Sequence, residues 1–181
     1  MLINKKSIYQ TNVLRDLCLR TNYKDFTDIL QLKGMDITIT DITAAFNKKE
    51  LFPMSSALEL ICGKKPVFIK SRRVIQKYNI RKGAIIGARA HLSGELAYNF
   101  LENISFLVLS KQPIDYYFRK KSIDKYGNIT FTLRDPLSFF ELEREFEKFS
   151  RIPEISINIS TSSNTKEESL AFFSYLNMPF K

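Results

Sequence analysis

Nine basic residues fall between Leu60 and Gly94, namely Lys64, Lys65, Lys70, Arg72, Arg73, Lys77, Arg81, Lys82 and Arg89, with no Asp or Glu among them. The rest of the chain carries nineteen bases against nineteen acids, so the whole formal charge of +9 resides in this one window. A merely solvated surface mixes both signs. A stretch that excludes one of them suits a polyanionic partner. Within it, Lys70-Ser71-Arg72-Arg73 and Lys77-Tyr78-Asn79-Ile80-Arg81-Lys82 set one aromatic ring among cations. Guanidinium forks grip phosphates, ammonium groups act as point charges, and a tyrosine stacks on an unpaired base, which is the chemistry of clamping structured RNA. Tyr78 keeps a second reading, in which the ring packs on its own loop.

Other chemistries find less support. His91 is the only histidine and has no obvious nucleophile beside it, so it reads as a surface or satisfied residue rather than a general base. Cys18 and Cys62 form neither a disulfide framework nor, with one histidine, a zinc set. Gly63-Lys64-Lys65-Pro66 lacks the upstream glycine and the Ser or Thr of a phosphate-cradling P-loop. The basic segment has no apolar stripe for a membrane surface, and no run of eighteen uncharged apolar residues exists. The expectation is a protein that is not an enzyme, with no cofactor, no metal and no membrane partner.

The elements that position these residues follow from periodicity. With 181 residues, 44% hydrophobic and 26% charged, the chain is globular in composition and long enough for a core. A single domain spanning residues 1–181 is expected. Tyr9, Val13 and Leu17 are spaced as a short helix over residues 7–20. Met35, Ile37 and Ile39 alternate with Asp36, Thr38 and Thr40 as a half-buried strand. Met54, Ala57, Leu58 and Ile61 return to helical spacing, with Pro53 in the first turn and Gly63 as the stop. Pro66 to Lys70 and the alternation Ile86, Ala88, Ala90, Leu92 predict two strands joined by the basic loop, where Gly83 and Gly87 serve a turn or a close backbone approach. Phe100, Leu101, Ile104, Leu107 and Val108 share one helix face ending before Pro113.

Ile129, Phe131 and Leu133 make a strand after the Gly127-Asn128 turn. Phe139, Leu142, Phe146 and Phe149 predict one helix, although the glutamates between them alternate as in a strand. Ile155, Ile157 and Ile159 form the last strand, Ser160 to Ser163 its end and a loop, and Thr165 with Glu168 a capping box opening a helix through Leu176. The class is α+β, with a mainly antiparallel sheet, helices packed on one face and an extended basic loop. The other face presents Thr38, Thr40, Thr130, Thr132, Ser156, Asn158 and Ser160. These groups suit phosphate, ribose or base contacts, and threonine is equally an ordinary strand residue.

Read together, Gly63-Lys64-Lys65-Pro66, Lys70-Ser71-Arg72-Arg73, Tyr78, Ile80-Arg81-Lys82-Gly83, Ile86-Gly87 and Gly94-Glu95 resemble the pattern G-Q-K-P, K-A-R-K, F, I-R-x-G, I-G, R-G-E of the ribosomal protein L-five family of the large subunit. The likeness continues at Lys121-Ser122-Ile123-Asp124 with Gly127-Asn128 and at Met178-Pro179-Phe180-Lys181. It implies a structural protein of the central protuberance, with 5S rRNA and adjoining large-subunit rRNA, P-site tRNA, a small-subunit head protein and other central-protuberance proteins as partners. The rRNA-binding residues it implies, with those of the polar face, are Thr38, Thr40, Gly63, Lys64, Lys65, Pro66, Arg89 and His91. The loop implied to touch the tRNA elbow holds Lys70, Arg72, Arg73, Lys77, Tyr78, Arg81, Lys82 and Gly83. Arg119, Lys120 and Lys121 are candidates for an intersubunit bridge.

Several positions depart from the pattern. Where the family carries N-M-G-V-G-E, this chain has Thr38-Ile39-Thr40-Asp41-Ile42-Thr43, without either glycine. Lys64 replaces the family Gln, His91 a Thr, and Ser93 the Arg of R-G-E. With a composition rich in Phe, Tyr, Ile, Lys and Asn, these changes imply a divergent organellar ribosome. The start of the chain, where family members start and without a presequence, gives the mitochondrial matrix and an organelle gene as the expectation. A plastid or the bacterial cytoplasm is the alternative.

Overall fold

The computed structural model describes Arg15, Cys18, Leu19 and residues 29–105, 122–163, 165–176 and 178. The elements in chain order are β1 (Leu32–Thr40), α1 (Leu51–Cys62), β2 (Val67–Lys70), β3 (Ile85–Leu92), α2 (Glu95–Asn103), β4 (Ile129–Leu133), α3 (Phe140–Glu143), α4 (Phe146–Phe149), β5 (Ile155–Thr161) and α5 (Lys166–Tyr175). The strands are bonded in the order β2-β3-β1-β5-β4. Cross-strand contacts fix the directions. Asp36 meets Arg89 and His91 while Asp41 N–H donates to the Ile86 carbonyl, Thr38 meets Ser156 while Gln31 meets Ser162, and Thr130 meets Asn158 while Asn128 meets Thr161, so every neighbour runs antiparallel. The α+β class with an antiparallel sheet therefore holds.

The chain divides into two compact units. One comprises Met1–Met35, Ser93–Phe131 and Asn158–Lys181, the other Asp36–Leu92 and Thr132–Ile157. In the second, period-two alternation does what it predicts: Ile37, Ile39, Ala88, Ala90, Leu92, Ile155 and Ile157 are buried while Thr38, Arg89, His91 and Ser156 between them are more open. α1 packs against β3, buries Met54, Ala57, Leu58 and Ile61, and ends at Gly63 as expected. Gly87 is required by close approach: a Cβ there would lie 2.1 Å from the Ile39 carbonyl oxygen and 2.8 Å from Thr40 Cα.

The stretch read as one helix over Phe139–Phe149 is instead two short helices, α3 and α4, separated at Glu145, whose backbone (φ −120°, ψ 45°) leaves the helical region. That break lets Phe139, Leu142 and Phe149 all be buried while Phe146 turns out to solvent. The first strand also begins earlier than its alternation suggested, at Leu32 rather than after Gly34.

In the first unit, α2 buries Ala97, Tyr98, Phe100 and Leu101, and the Tyr98 hydroxyl accepts a hydrogen bond from Leu32 N–H at 3.4 Å. The predicted continuation of α2 through Leu107 and Val108 lies outside the described residues, as do the terminal Pro179, Phe180 and Lys181 and most of the helix expected over residues 7–20, of which Arg15, Cys18 and Leu19 are helical. α5 opens at Thr165, whose hydroxyl accepts from Glu168 N–H, and packs Phe172 and Phe173 edge to face. The serine-rich run is more than a strand end. Thr161, Ser163 and Ser169 are buried and joined hydroxyl to hydroxyl, and Thr161 also donates to the Gly127 carbonyl. Each of these three hydroxyls thus finds a protein partner without water.

Candidate nucleic-acid interface

The basic loop between β2 and β3 is a second, smaller hairpin. β2 pairs with β3 from Val67 opposite Arg89 to Lys70 opposite Ile85, with a bulge between Ile69 and Lys70. Beyond it, Ser71 N–H donates to Ala84 and Gly83 N–H to Ser71. Ile75 and Ile80 then bond each other in both directions, at 3.0 and 3.1 Å. The reversal itself is the 3-10 turn Gln76–Tyr78 followed by Asn79 in the left-handed region at φ +52°. Ile80 and Ser71 are buried and anchor the hairpin, while Lys70, Arg72, Arg73, Lys77, Arg81, Lys82 and Gly83 are exposed. None of these cations is ion-paired with a described carboxylate. Tyr78 stands in the terminal turn, 41% exposed, with Lys77 Nζ 5.4 Å from its ring centroid. Six exposed cations without a described acidic partner, on one hairpin that also carries a half-open ring, concentrate positive potential there.

On the open face of the sheet the chemistry differs. β1 and β3 bring Asp36 against Arg89 and His91. Arg89 donates from Nε to Asp36 Oδ1 at 3.1 Å and pairs through Nη2 with Oδ2, and His91 Nδ1 lies 2.8 Å from Oδ1. Burial alone would raise the Asp36 carboxyl, but hydrogen bonds from Arg89 and His91, and their charge, outweigh it and hold the group below the usual aspartate range. Lys64 Nζ joins the cluster by donating to the His91 carbonyl at 2.9 Å. So Lys64, 27 residues before His91 in sequence, comes to the place where Arg89 and His91 stand, and Gly63 and Lys65 beside it are exposed.

Thr38 is half-buried and donates to the Ser156 carbonyl, Thr40 is exposed, and Thr130 donates to Asn158 Oδ1. Pro66 is half-buried at the start of β2. Arg119, Lys120 and Lys121 lie outside the described residues.

Asp36 was missed because it lies outside the acid-free window, 53 and 55 residues from its partners in sequence. Only the antiparallel register of β1 against β3 exposes it. Exposed apolar side chains along the basic hairpin, Val67 at 71% and Val74 at 61%, were missed likewise. Cys62 is buried and its thiol is pushed up to about 12 by that burial, which makes it unreactive. Among the described residues no group of three or more His, Cys, Asp or Glu could hold a metal ion, and no helix is long and apolar enough to cross a membrane.

An antiparallel sheet with one polar face and a basic hairpin at one edge defines a polyanion-binding α+β protein. Comparison with known proteins narrows the class. Residues 85–180 match the C-terminal region of the ribosomal protein L5 family. The chain is 31% identical over 173 residues to the large ribosomal subunit protein uL5 of Buchnera aphidicola subsp. Baizongia pistaciae, covering 96% of both chains. It is 29% identical over 175 residues to uL5 of Wolbachia pipientis subsp. Culex pipiens and 30% identical over 176 residues to that of Oceanobacillus iheyensis, with 97% of each chain covered. The chain belongs to the ribosomal L5 family. As a member it is a structural, non-enzymatic constituent of the large ribosomal subunit that binds rRNA.

Proposed function

We propose that the protein binds 5S rRNA and adjoining large-subunit rRNA in the central protuberance and, through its basic hairpin, touches the elbow of P-site tRNA. The observation that carries the reading is the hairpin itself: six exposed cations, without a described acidic partner, flank a half-exposed Tyr78 in the terminal turn. Phosphate contacts position such an element, and a ring beside them stacks on an unpaired base or ribose. The rRNA-facing set is the open sheet face with the α1-to-β2 turn: Thr38, Thr40, Gly63, Lys64, Lys65, Pro66, Arg89 and His91. There Asp36 holds the Arg89 fork in one orientation and lowers the local charge, so that face favours shape and hydrogen bonding while the hairpin supplies the field. Arg119, Lys120 and Lys121 are assigned to the small-subunit head by resemblance alone, as are the neighbouring proteins.

The ribosome is proposed to be mitochondrial, on the composition and the altered family positions. A plastid or a bacterial cytoplasmic ribosome is the alternative, and the relatives named above are all bacterial.

A photocrosslinking residue at Lys77, in ribosomes carrying P-site tRNA, tests the tRNA contact. Crosslinks to the elbow are expected, and crosslinks to protein alone would reject it. Sedimentation of a native extract tests the rest. The protein should travel with large subunits and 5S rRNA should copurify. A chain that sediments free of subunits would instead be an independent RNA-binding module.

A further inference from the structure

Arg89 and His91 converge on the Asp36 carboxylate, and those bonds decide which edges of the two side chains are left over. An ionised carboxylate only accepts, so the His91 Nδ1 that lies 2.8 Å from Oδ1 must carry a proton. The neutral ring then keeps a bare Nε2. Arg89 gives Asp36 its Nε–H and one Nη2–H, which leaves its end-on edge, with an N–H on each Nη, for another ligand. Both side chains reach solvent, Arg89 51% and His91 56% exposed, while Asp36 is 20% exposed.

A phosphate suits the two leftover edges unequally. Its oxygens only accept, so the Arg89 fork grips it at any ordinary pH. The bare Nε2 instead sets a lone pair against it. Protonated His91 donates from both nitrogens, keeping Nδ1–H on Asp36 and offering a charged Nε2–H to the ligand. The proton also changes the local charge. With His91 neutral, Asp36 cancels Arg89, and Lys64 and the exposed Lys65 are the other charges beside the ring. With the imidazolium present, the three side chains together carry one positive charge. The remaining neighbours on the adjoining strands, Thr38 and Thr40 of β1 and Val67 of β2, which pairs with Arg89, do not titrate.

Histidine is the side chain that ordinarily changes charge between about pH 5 and 8, and His91 is the only one in the chain. It stands where the family pattern has Thr, so the feature belongs to this sequence rather than to the family. Resting on the reading of the open sheet face as rRNA-facing, we infer that Arg89 and His91, oriented by Asp36, form a seat for one rRNA phosphate that closes with uptake of a proton at His91 Nε2. The proton comes from solvent and returns to it when the RNA leaves.

The test titrates the full chain with a fluorescent bacterial 5S rRNA transcript at pH 8, 7 and 6. A phosphate beside an imidazolium favours the charged ring, and a rise of about one pKa unit on binding would tighten the complex roughly fivefold from pH 8 to pH 6. The slope of log affinity against log salt should steepen over the same range by roughly 0.9, the value for one more neutralised phosphate. His91→Thr restores the family residue, which takes up no proton, and should bind with affinity and salt slope both flat across this range. Calorimetry of the parent protein in two buffers of different ionisation enthalpy should show net proton uptake at pH 7. A parent affinity independent of pH, a pH dependence that persists in His91→Thr, or no proton uptake overturns the proton-linked seat and leaves the rRNA reading of the face standing. Affinity unchanged when Lys64 and Arg89 are both replaced by Ala, or a transcript that does not bind at all, overturns both.

Discussion

Gly87→Ala isolates the contact on which the sheet is built. The added Cβ would sit 2.1 Å from the Ile39 carbonyl oxygen and 2.8 Å from Thr40 Cα, where ordinary contact starts at 3.4 Å. Both obstacles are backbone, so no rotamer change relieves them, and β1 and β3 must part by on the order of 1 Å in a close-packed interior. Overpacking of this kind costs roughly 1–3 kcal/mol. Weakening of the adjoining bond from Asp41 N–H to the Ile86 carbonyl adds part of the roughly 0.5–1.5 kcal/mol such a bond contributes. The sum is about 3 kcal/mol, or a fall of roughly 6–12 °C in melting temperature at this chain length.

Gly83→Ala in the same hairpin is the control. Its Cβ would meet nothing within 4 Å, so only the strain of φ +85° remains, roughly 1 kcal/mol. Circular dichroism melts of the two variants and the parent measure the difference. A Gly87→Ala melt within a couple of degrees of the parent, or less affected than Gly83→Ala, would refute the close-approach argument.

Three further outcomes are expected. Replacing Arg72 and Arg73 together by Ala should leave stability within about 0.5 kcal/mol, because both are exposed and no described acid pairs with them. The slope of log RNA affinity against log salt should nevertheless drop by about 0.9 for each phosphate no longer neutralised, and an unchanged slope would remove these residues from the interface. Asp36→Asn should destabilise at neutral pH and not in acid. A carboxyl held low in the folded state stabilises it above the unfolded value near 3.9, and that contribution disappears as pH falls through the folded value. Urea midpoints of both proteins from pH 7 to pH 2 measure the gap, and a constant gap would contradict the assignment. A thiol reagent at pH 8 should titrate Cys18, which is exposed, and reach Cys62 only after unfolding, whereas two fast thiols would show that burial does not protect Cys62.

The strands were legible because one buried face imposes period two, and Met35 to Ile39, Ile86 to Leu92 and Ile155 to Ile159 each obey it. α1 was legible because Pro53 and Gly63 bracket its apolar stripe, and α5 because Thr165 and Glu168 mark its start. The stretch from Phe139 to Phe149 was not, because its aromatic spacing suits a helix while the break depends on the backbone at Glu145. The loop's charge was visible at once, but its closure through Ile75 and Ile80 was hidden within a run of polar residues. What periodicity cannot carry is register: the pairing of Asp36 with Arg89, and the meeting of Asp41 with Ile86, exist only once β1 is laid against β3.

The strand order also has a bearing on synthesis. β1 sits between β3 and β5, and its hydrogen bonds to the β5 side reach across the chain, Thr38 to Ser156 and Gln31 to Ser162. As the polypeptide is made from its N-terminus, β1 gains β3 once residues 85–92 have emerged, while its other edge has no partner until β5 has been translated. During that interval an apolar-faced strand with Ile37 and Ile39 presents open backbone donors and acceptors, the kind of edge that recruits other strands. Pairings this distant in sequence also close slowly, because loop entropy is lost before the contacts repay it. The strand central to the finished sheet is therefore the one left longest without its second neighbour.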